Sequence, residues 1–127
     1  KFPGGHPNHV RCHGAVKDGQ ADFGALALVF EQCNGGSLLD FIKLRTRDHD
    51  EPIYLSAFEA VCAACQLCKG LAALHKHGIV HCDLAPRNLL YSLDDDMFVT
   101  LKLGDFGLAR DTREPQNGNS VIDSFSF

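Results

Sequence analysis

A chain of 127 residues, 45% apolar and 22% charged, has the composition of one ordinary soluble globular domain. Its net charge of -4 gives no general attraction to nucleic acid or anionic lipid. No apolar run approaches the roughly 18 residues of a membrane span, and no signal-peptide pattern opens the chain.

The first stretch, KFPGGHPNHVRCHGAV, is punctuated by Pro and Gly and predicts a turn followed by a short strand from about His9 to Val16. Asp18-Gly19 signals a hairpin turn. ALALVFEQC is an apolar run of strand length, which predicts a buried strand released by Asn34-Gly35-Gly36. Ser37-Leu38-Leu39-Asp40 has the capping-box form and opens a short helix to about Leu44. RTRDHDEPIY then reads as a charged loop. Ser56-Ala57-Phe58-Glu59 is a second capping box, starting a longer helix to about His77 that Gly78 closes. Phe58, Val61, Cys62, Cys65, Leu67, Leu71 and Leu74 make its apolar stripe wide enough to predict a mostly buried helix. IVH is a very short strand. LLYS and VTLKL are two strands joined by the acidic turn LDDD, and after Asp105-Phe106-Gly107 the chain turns polar and aperiodic. The order β-β-α-α-β-β-β-loop does not alternate as one parallel sheet would, so the fold class is α+β.

Cys62, Cys65 and Cys68 are spaced C-x-x-C-x-x-C, but the fourth ligand of an iron–sulfur motif would fall at Ala72. They read instead as small apolar positions of a helix. His75, His77, His81 and Cys82 complete no tetrahedral zinc set. The six scattered cysteines suit a reducing, cytoplasmic compartment better than a disulfide framework. The chain opens on Lys1 and stops in Ser-Phe-Ser-Phe, so both ends read as cut.

Chemistry concentrates in VHCDLAPRNLLY, residues 80–91, where an acid, a base and an amide stand within a few positions on one loop. Asp83 and Asn88 are on that loop, and a hairpin later Asp105 is on another. Two acids and an amide supply hard oxygen ligands suited to Mg²⁺, while one acid can accept a hydroxyl proton. Phosphoryl transfer needs that division of labour, because its catalysis is mostly positioning and charge neutralisation.

The chain resembles the eukaryotic protein kinase family. His81-Cys82-Asp83-Leu84-Ala85-Pro86-Arg87-Asn88 matches the catalytic loop H-R-D-L-x-x-x-N with Cys for Arg, and Asp105-Phe106-Gly107 matches D-F-G. HPNHVRCHGAV, LVFEQCNGGSLLDFI and LAALHKHGIVH are similar to the family's small-lobe turn and strand, its hinge, and the helix before the catalytic loop. The resemblance implies a partial two-lobed fold over 1–127: 1–32 ends the small lobe, 33–104 forms the hinge and front of the large lobe, and 105–127 starts the activation segment. It implies ATP and Mg²⁺ as cofactors and a protein as substrate.

By that resemblance Asp83 is the base, Arg87 lies near the transferred phosphoryl group, and Asn88 and Asp105 hold Mg²⁺. Glu31 and Cys33 present backbone groups to the adenine edge, Phe30 stands at the rear of that pocket, Leu90 is its floor and Ser37 is near the ribose. Cys12, His81 and Phe106 belong to one supporting stack. Ala85 and Arg87, with no Lys two residues after Asp83, resemble the tyrosine-kinase or tyrosine-kinase-like pattern. The family's Gly-rich loop, V-A-I-K lysine and A-P-E are not in these residues, so the chain is expected to need the missing remainder of a kinase domain. The alternatives are a serine/threonine kinase of the tyrosine-kinase-like group, a small-molecule phosphotransferase and a non-catalytic pseudokinase scaffold.

Overall fold

A computed structural model describes residues 5–17, 26–47, 55–94 and 99–113. Its elements follow the chain as β1 (Cys12–Lys17), β2 (Leu26–Phe30), β3 (Gly36–Ser37), α1 (Leu38–Arg47), α2 (Ala57–Lys76), β4 (Ile79–Val80), a 3-10 turn (Pro86–Asn88), β5 (Leu89–Leu93), β6 (Val99–Leu103) and β7 (Arg110–Asp111). The mixture is α+β, as the sequence predicts.

Both helices begin where their capping boxes stand. Ser56 Oγ accepts the Glu59 N–H at 3.2 Å while Glu59 Oε2 accepts the Ser56 N–H at 2.8 Å, so two orphan donors are satisfied reciprocally. Gly78, at φ +72, ends α2 in the left-handed region that a Cβ disfavours, and donates to the His75 carbonyl. Ser37 Oγ accepts the Asp40 N–H at 3.1 Å to open α1, which runs to Arg47 rather than Leu44. Arg45 then ties α1 to Glu59 at the start of α2, at 3.1 Å.

β1 and β2 form an antiparallel pair with Cys12 opposite Phe30 and Lys17 opposite Leu26. The Asp18-Gly19 turn between them lies outside the described residues. β3, β5 and β6 form a three-stranded antiparallel sheet in that order, and β4 pairs with β7. Beyond Asp94, the LDDD turn likewise falls outside the described residues. The two-residue strands β3 and β7 carry no period that the sequence could announce.

Two burial expectations are corrected. β2 is not buried: Val29 is 45% and Phe30 47% exposed, because among the described residues β2 pairs with β1 alone. α2 buries only Gly70 and Leu74, with Phe58 78% and Val61 61% exposed, because β6 covers one side of it and the rest of its wide stripe faces outward. Contrary to the sequence reading, α2 is apolar and long enough to cross a membrane by length and composition. α2 meets the core through one end: Leu74 joins Ile79, Leu89, Leu101, Leu103 and Ala109 in the buried cluster.

The predicted strand at His9 starts late, at Cys12, because residues 8–10 run beside β6 instead. Val10 donates to the Leu103 carbonyl at 2.8 Å and Leu103 to the Asn8 carbonyl at 2.9 Å. Asn8 Nδ2 adds a bond to the Leu101 carbonyl at 2.8 Å. This crossing is so close to α2 that a Cβ on Gly70 would lie 2.9 Å from Leu103 Cδ1 and 3.0 Å from the Asn8 carbonyl oxygen.

Gly70→Ala separates helix propensity from packing. In an open helix the change stabilises by about 1 kcal/mol. Here overpacking outweighs that, and the expected net loss is about 1–3 kcal/mol. Urea unfolding of the full-length protein measures it, and an unchanged or raised midpoint would refute this account of the crossing.

Candidate active site

β4 delivers His81 and Cys82 to a sharp turn. Cys82 has φ +62, in the left-handed region, although it carries a side chain. Such a residue costs roughly 1–3 kcal/mol, and the surroundings must hold it there. Ala85 precedes a proline and is extended, at φ -151 and ψ 155, as that position demands. Pro86 then starts the 3-10 turn that carries Arg87 and Asn88, and Asn88 N–H closes on the Ala85 carbonyl at 2.9 Å.

The turn folds both of these side chains onto Asp83. Arg87 Nη2 donates to Asp83 Oδ1 at 2.7 Å and Oδ2 at 2.9 Å. Asn88 Nδ2 donates to Asp83 Oδ2 at 2.7 Å and to the Asp83 backbone carbonyl at 2.8 Å. The Asn88 amide first, and the Arg87 guanidinium second, hold the Asp83 carboxyl below its ordinary range. The group is therefore an anionic, acceptor-only oxygen pair in a fixed orientation.

A second loop lies against the first. Gly104 N–H donates to the Asn88 carbonyl at 2.8 Å. His81 Nε2 meets the Gly104 carbonyl at 2.9 Å, and Asp83 N–H meets His81 Nδ1 at 3.3 Å. A carbonyl only accepts and an amide N–H only donates, so the ring is the Nε2–H tautomer. Asp105 follows at φ +55, exposed, with Oδ1 accepting the Gly107 N–H at 3.2 Å. Phe106 is half-buried between two imidazoles, His81 at 5.2 Å and His9 at 5.9 Å between centroids.

The donor set fits Mg²⁺. Both hydrogens of Asn88 Nδ2 are spent on Asp83, which leaves Oδ1 as its ligand-capable atom, and the Asp105 carboxylate is on the adjoining loop. Mg²⁺ takes few protein oxygens and fills its octahedron with water and phosphate. Among the described residues no three His, Cys, Asp or Glu side chains form a metal cage of their own.

The remaining sequence-predicted residues are spread from the end of β2 through β3 to β5. Phe30 ends β2, half-exposed, opposite Cys12. Burial raises the Glu31 carboxyl, but its hydrogen bonds to Lys102 and to Arg11 outweigh that and hold it below its ordinary range. Lys102 Nζ is 2.7 Å from Glu31 Oε2, and Arg11 N–H donates to Oε1 at 2.6 Å. The Cys33 carbonyl accepts the Gly36 N–H at 3.3 Å and closes the turn before β3. Ser37 is buried and its hydroxyl is spent on the Asp40 cap. Leu90, half-buried on β5, lies opposite Ser37 and Lys102.

The structure thus joins Asp83, Arg87 and Asn88 directly, and adds Asp105 through the Gly104 backbone. Phe30, Glu31 and Cys33 stand apart from these on the β2 side. The Cys12 thiol rests 3.6 Å from the Gly14 carbonyl. Two contributors escaped the sequence reading, His9 and Lys102. The alternation of V-T-L-K-L, which sets Lys102 on the face opposite Leu101 and Leu103, was the available signal for the second.

Asn88→Ala deletes both bonds to Asp83 and the first cause of its low pKa. The Asp83 carboxyl is expected to titrate closer to its ordinary 3.8, followed by the NMR shift of its carboxyl carbon against pH. An unmoved titration would show that Arg87 alone sets the group.

Comparison with known proteins gives the family. A family model described as the protein kinase domain matches residues 3–127. A calcium and calcium/calmodulin-dependent serine/threonine-protein kinase of Oryza sativa subsp. japonica is 44% identical over 104 residues, 82% of this chain and 18% of its own length. Serine/threonine-protein kinase DCLK3 of Mus musculus is 39% identical, over 83% of this chain and 12% of its own. Tyrosine-protein kinase sid-3 of Caenorhabditis elegans is 38% identical, over 86% and 8%. The chain spans less than a fifth of the length of each of these three relatives.

Proposed function

The chain belongs to the protein kinase family, and from that premise we propose that it carries the catalytic loop of an enzyme that transfers the γ-phosphoryl group of ATP to a hydroxyl of a protein. The observation that carries the reading is the Asp83 carboxylate, fixed by Arg87 and Asn88 beside the Gly104–Asp105 loop. Asp83 accepts the hydrogen of the incoming hydroxyl and aims its oxygen in line. A carboxylate of lowered pKa is a weak base. That suits a loose transition state, in which the phosphoryl group leaves early and positioning dominates. Arg87 neutralises Asp83 at rest and sits where charge on the transferred group can share its guanidinium. Asn88 Oδ1 and Asp105 would hold Mg²⁺, which supplies charge neutralisation of the phosphates when bound.

The nucleotide would enter between β2 and β5. Glu31 and Cys33 offer backbone groups to the adenine edge, Phe30 stands behind it, Leu90 lies beneath and Ser37 is near the ribose. The Glu31–Lys102 pair supports this reading, because it fixes the strand end on which an adenine would bond. The six unpaired thiols suit a reducing compartment, cytoplasmic in our reading. The remaining parts of a kinase domain belong to the longer protein.

For the acceptor hydroxyl the loop reads as tyrosine: Ala85 stands two residues after Asp83, and the basic residue that grips Asp83 is Arg87. A serine/threonine reading has its own support, since the rice and mouse relatives are named for that activity while the nematode one is named for tyrosine. A peptide array with the full-length protein decides between them. Labelling confined to Ser and Thr would overturn the tyrosine reading and leave the kinase reading standing.

In the full-length protein, Asp83→Asn is expected to lower kcat by on the order of a hundredfold or more with the KM for ATP little changed, because the carboxylate acts on the hydroxyl. Asp105→Asn is expected to weaken ATP binding and remove most Mg²⁺-dependent turnover. Steady-state kinetics at varied ATP and Mg²⁺ separate the two, and equal loss of ATP binding in both variants would refute the division of roles.

A further inference from the structure

Asn34 stands in the turn between β2 and β3, and its side chain takes the part of a strand residue. β3 pairs with β5, Gly36 opposite Tyr91 and Ser37 opposite Leu90. Continued in that register, the ladder would bring residue 34 opposite Leu93. Asn34 is exposed and lies in the turn, outside the strand. Leu93 is nevertheless paired as though the ladder went on. Its N–H donates to Asn34 Oδ1 at 2.8 Å, and Asn34 Nδ2 donates to its carbonyl at 3.0 Å. A carboxamide carries a donor and an acceptor in one plane, as a peptide unit does, so it can stand in for main chain on both bonds of an antiparallel pair.

The same stretch is tied at its other end. Glu31 N–H donates to the Arg11 carbonyl at 2.9 Å, and Glu31 Oε1 accepts the Arg11 N–H at 2.6 Å. Glu31 Oε2 is 2.7 Å from Lys102 Nζ of β6. Between the two anchors, the Cys33 carbonyl accepts the Gly36 N–H at 3.3 Å, and the Gly35 N–H reaches the Tyr91 carbonyl at 3.0 Å. The Cys33 N–H has no main-chain partner among the described residues. Gly35 and Gly36 follow, with Gly36 at φ +80, and glycines give a chain little stiffness of its own. The position of Cys33 must therefore come from the bonds on either side of it.

We propose that Asn34 is a positioning residue for the nucleotide: by lending its carboxamide to Leu93 it leaves its own main chain free of the sheet and fixes the Cys33 backbone at the place where an adenine edge would meet it. This deepens the proposed function and rests on it. Main-chain pairing at residue 34 would draw the chain into line with β3 and straighten the turn that the Gly36–Cys33 bond closes. With no pairing there, Cys33 would be tethered on the Glu31 side alone. The side-chain pair avoids both: the ladder runs on to Leu93 while the chain itself turns away.

The test uses the full-length protein and Asn34→Ala. The substitution deletes both bonds to Leu93 at an exposed position, so the urea midpoint should stay close to that of the unsubstituted protein. Hydrogen exchange at the Leu93 amide should quicken about tenfold or more. The Kd for ATP, measured by calorimetry, should rise about threefold or more, as the loss of exposed hydrogen bonds at a binding strand allows. At saturating ATP and peptide, kcat should change by less than about twofold, because no transition-state contact is touched. Asn34→Asp, which keeps the acceptor and loses the donor, should fall between the two proteins in exchange and in affinity. Unchanged exchange at Leu93 would overturn the proposal, and so would faster exchange with an unaltered Kd, or a loss confined to kcat. ATP binding without turnover by the unsubstituted protein would count against the kinase reading, while weaker binding by Asn34→Ala would still uphold the role of Asn34. If the unsubstituted protein binds no ATP, both fall.

Discussion

The peptide unit at Gly104 is the constraint on which the rest of the site depends. Its N–H goes to the Asn88 carbonyl, and its own carbonyl takes the His81 Nε2–H. One residue therefore binds the catalytic loop at both ends of its turn, before Asp83 and after it. Because His81 also accepts the Asp83 N–H, the backbone at Asp83 is referred to Gly104 through a single ring. Glycine fits here for a steric reason. A Cβ would stand 3.2 Å from Val10 Cγ2 and 3.5 Å from Leu90 Cδ1, so an added methyl would be tight against Val10, which would have to give by a few tenths of an ångström. The oxygens suited to metal and the oxygen suited to a hydroxyl hydrogen keep their spacing because this unit cannot slide.

That splice needs a firm base, and the base is the crossing of residues 8–10, β6 and α2. Asn8 serves two elements at once: its carbonyl accepts the Leu103 N–H of β6, and its amide reaches the Leu101 carbonyl of β6 and Gln66 of α2. Buried amide groups at a junction either satisfy all their partners or destabilise it, and Asn8 is satisfied on each side. The same crossing carries the ring that meets Phe106. Packing at Gly70 and order at Asp105 are thus linked through a few side chains of one short segment.

The sequence showed the parts whose rules are local. Ser56–Glu59 and Ser37–Asp40 announced both helix starts, Gly78 announced an end, and the composition of 81–88 and 105–107 marked the two loops before any contact was known. What stayed hidden depends on partners far along the chain. β3 and β7 are two residues each, too short for a period. Val29 and Phe30 read as buried because their run is apolar, but burial is decided by what packs across a strand, and β2 pairs with β1 alone among the described residues. α2 read as buried for the same reason, since a wide stripe records the need for cover rather than its presence. His9 looked like an ordinary turn residue beside Pro7 and Asn8. Only the parallel run along β6, a pairing some ninety residues distant, turns its ring towards Phe106.

Cys82 shows how much of the loop is held by backbone alone. A residue with a Cβ at φ +62 is disfavoured, and its thiol reaches no further than the Val80 carbonyl at 3.5 Å. The strain must be met on either side. On one side β4 pairs with β7, Ile79 opposite Asp111 and Val80 opposite Arg110. Thr112 extends that pairing, with its N–H at 2.7 Å and its hydroxyl at 2.8 Å from the Gly78 carbonyl. Arg113 holds Asp111 at a pKa of about 2, so the acid at this edge stays charged and engaged with its neighbour. On the other side His81 is fixed to Gly104. An arginine at position 82 would add a bidentate fork for a phosphate; cysteine offers neither charge nor fork. The segment after Asp105 is instead drawn back to β4 and Gly78, just before His81, by main-chain bonds and one threonine hydroxyl.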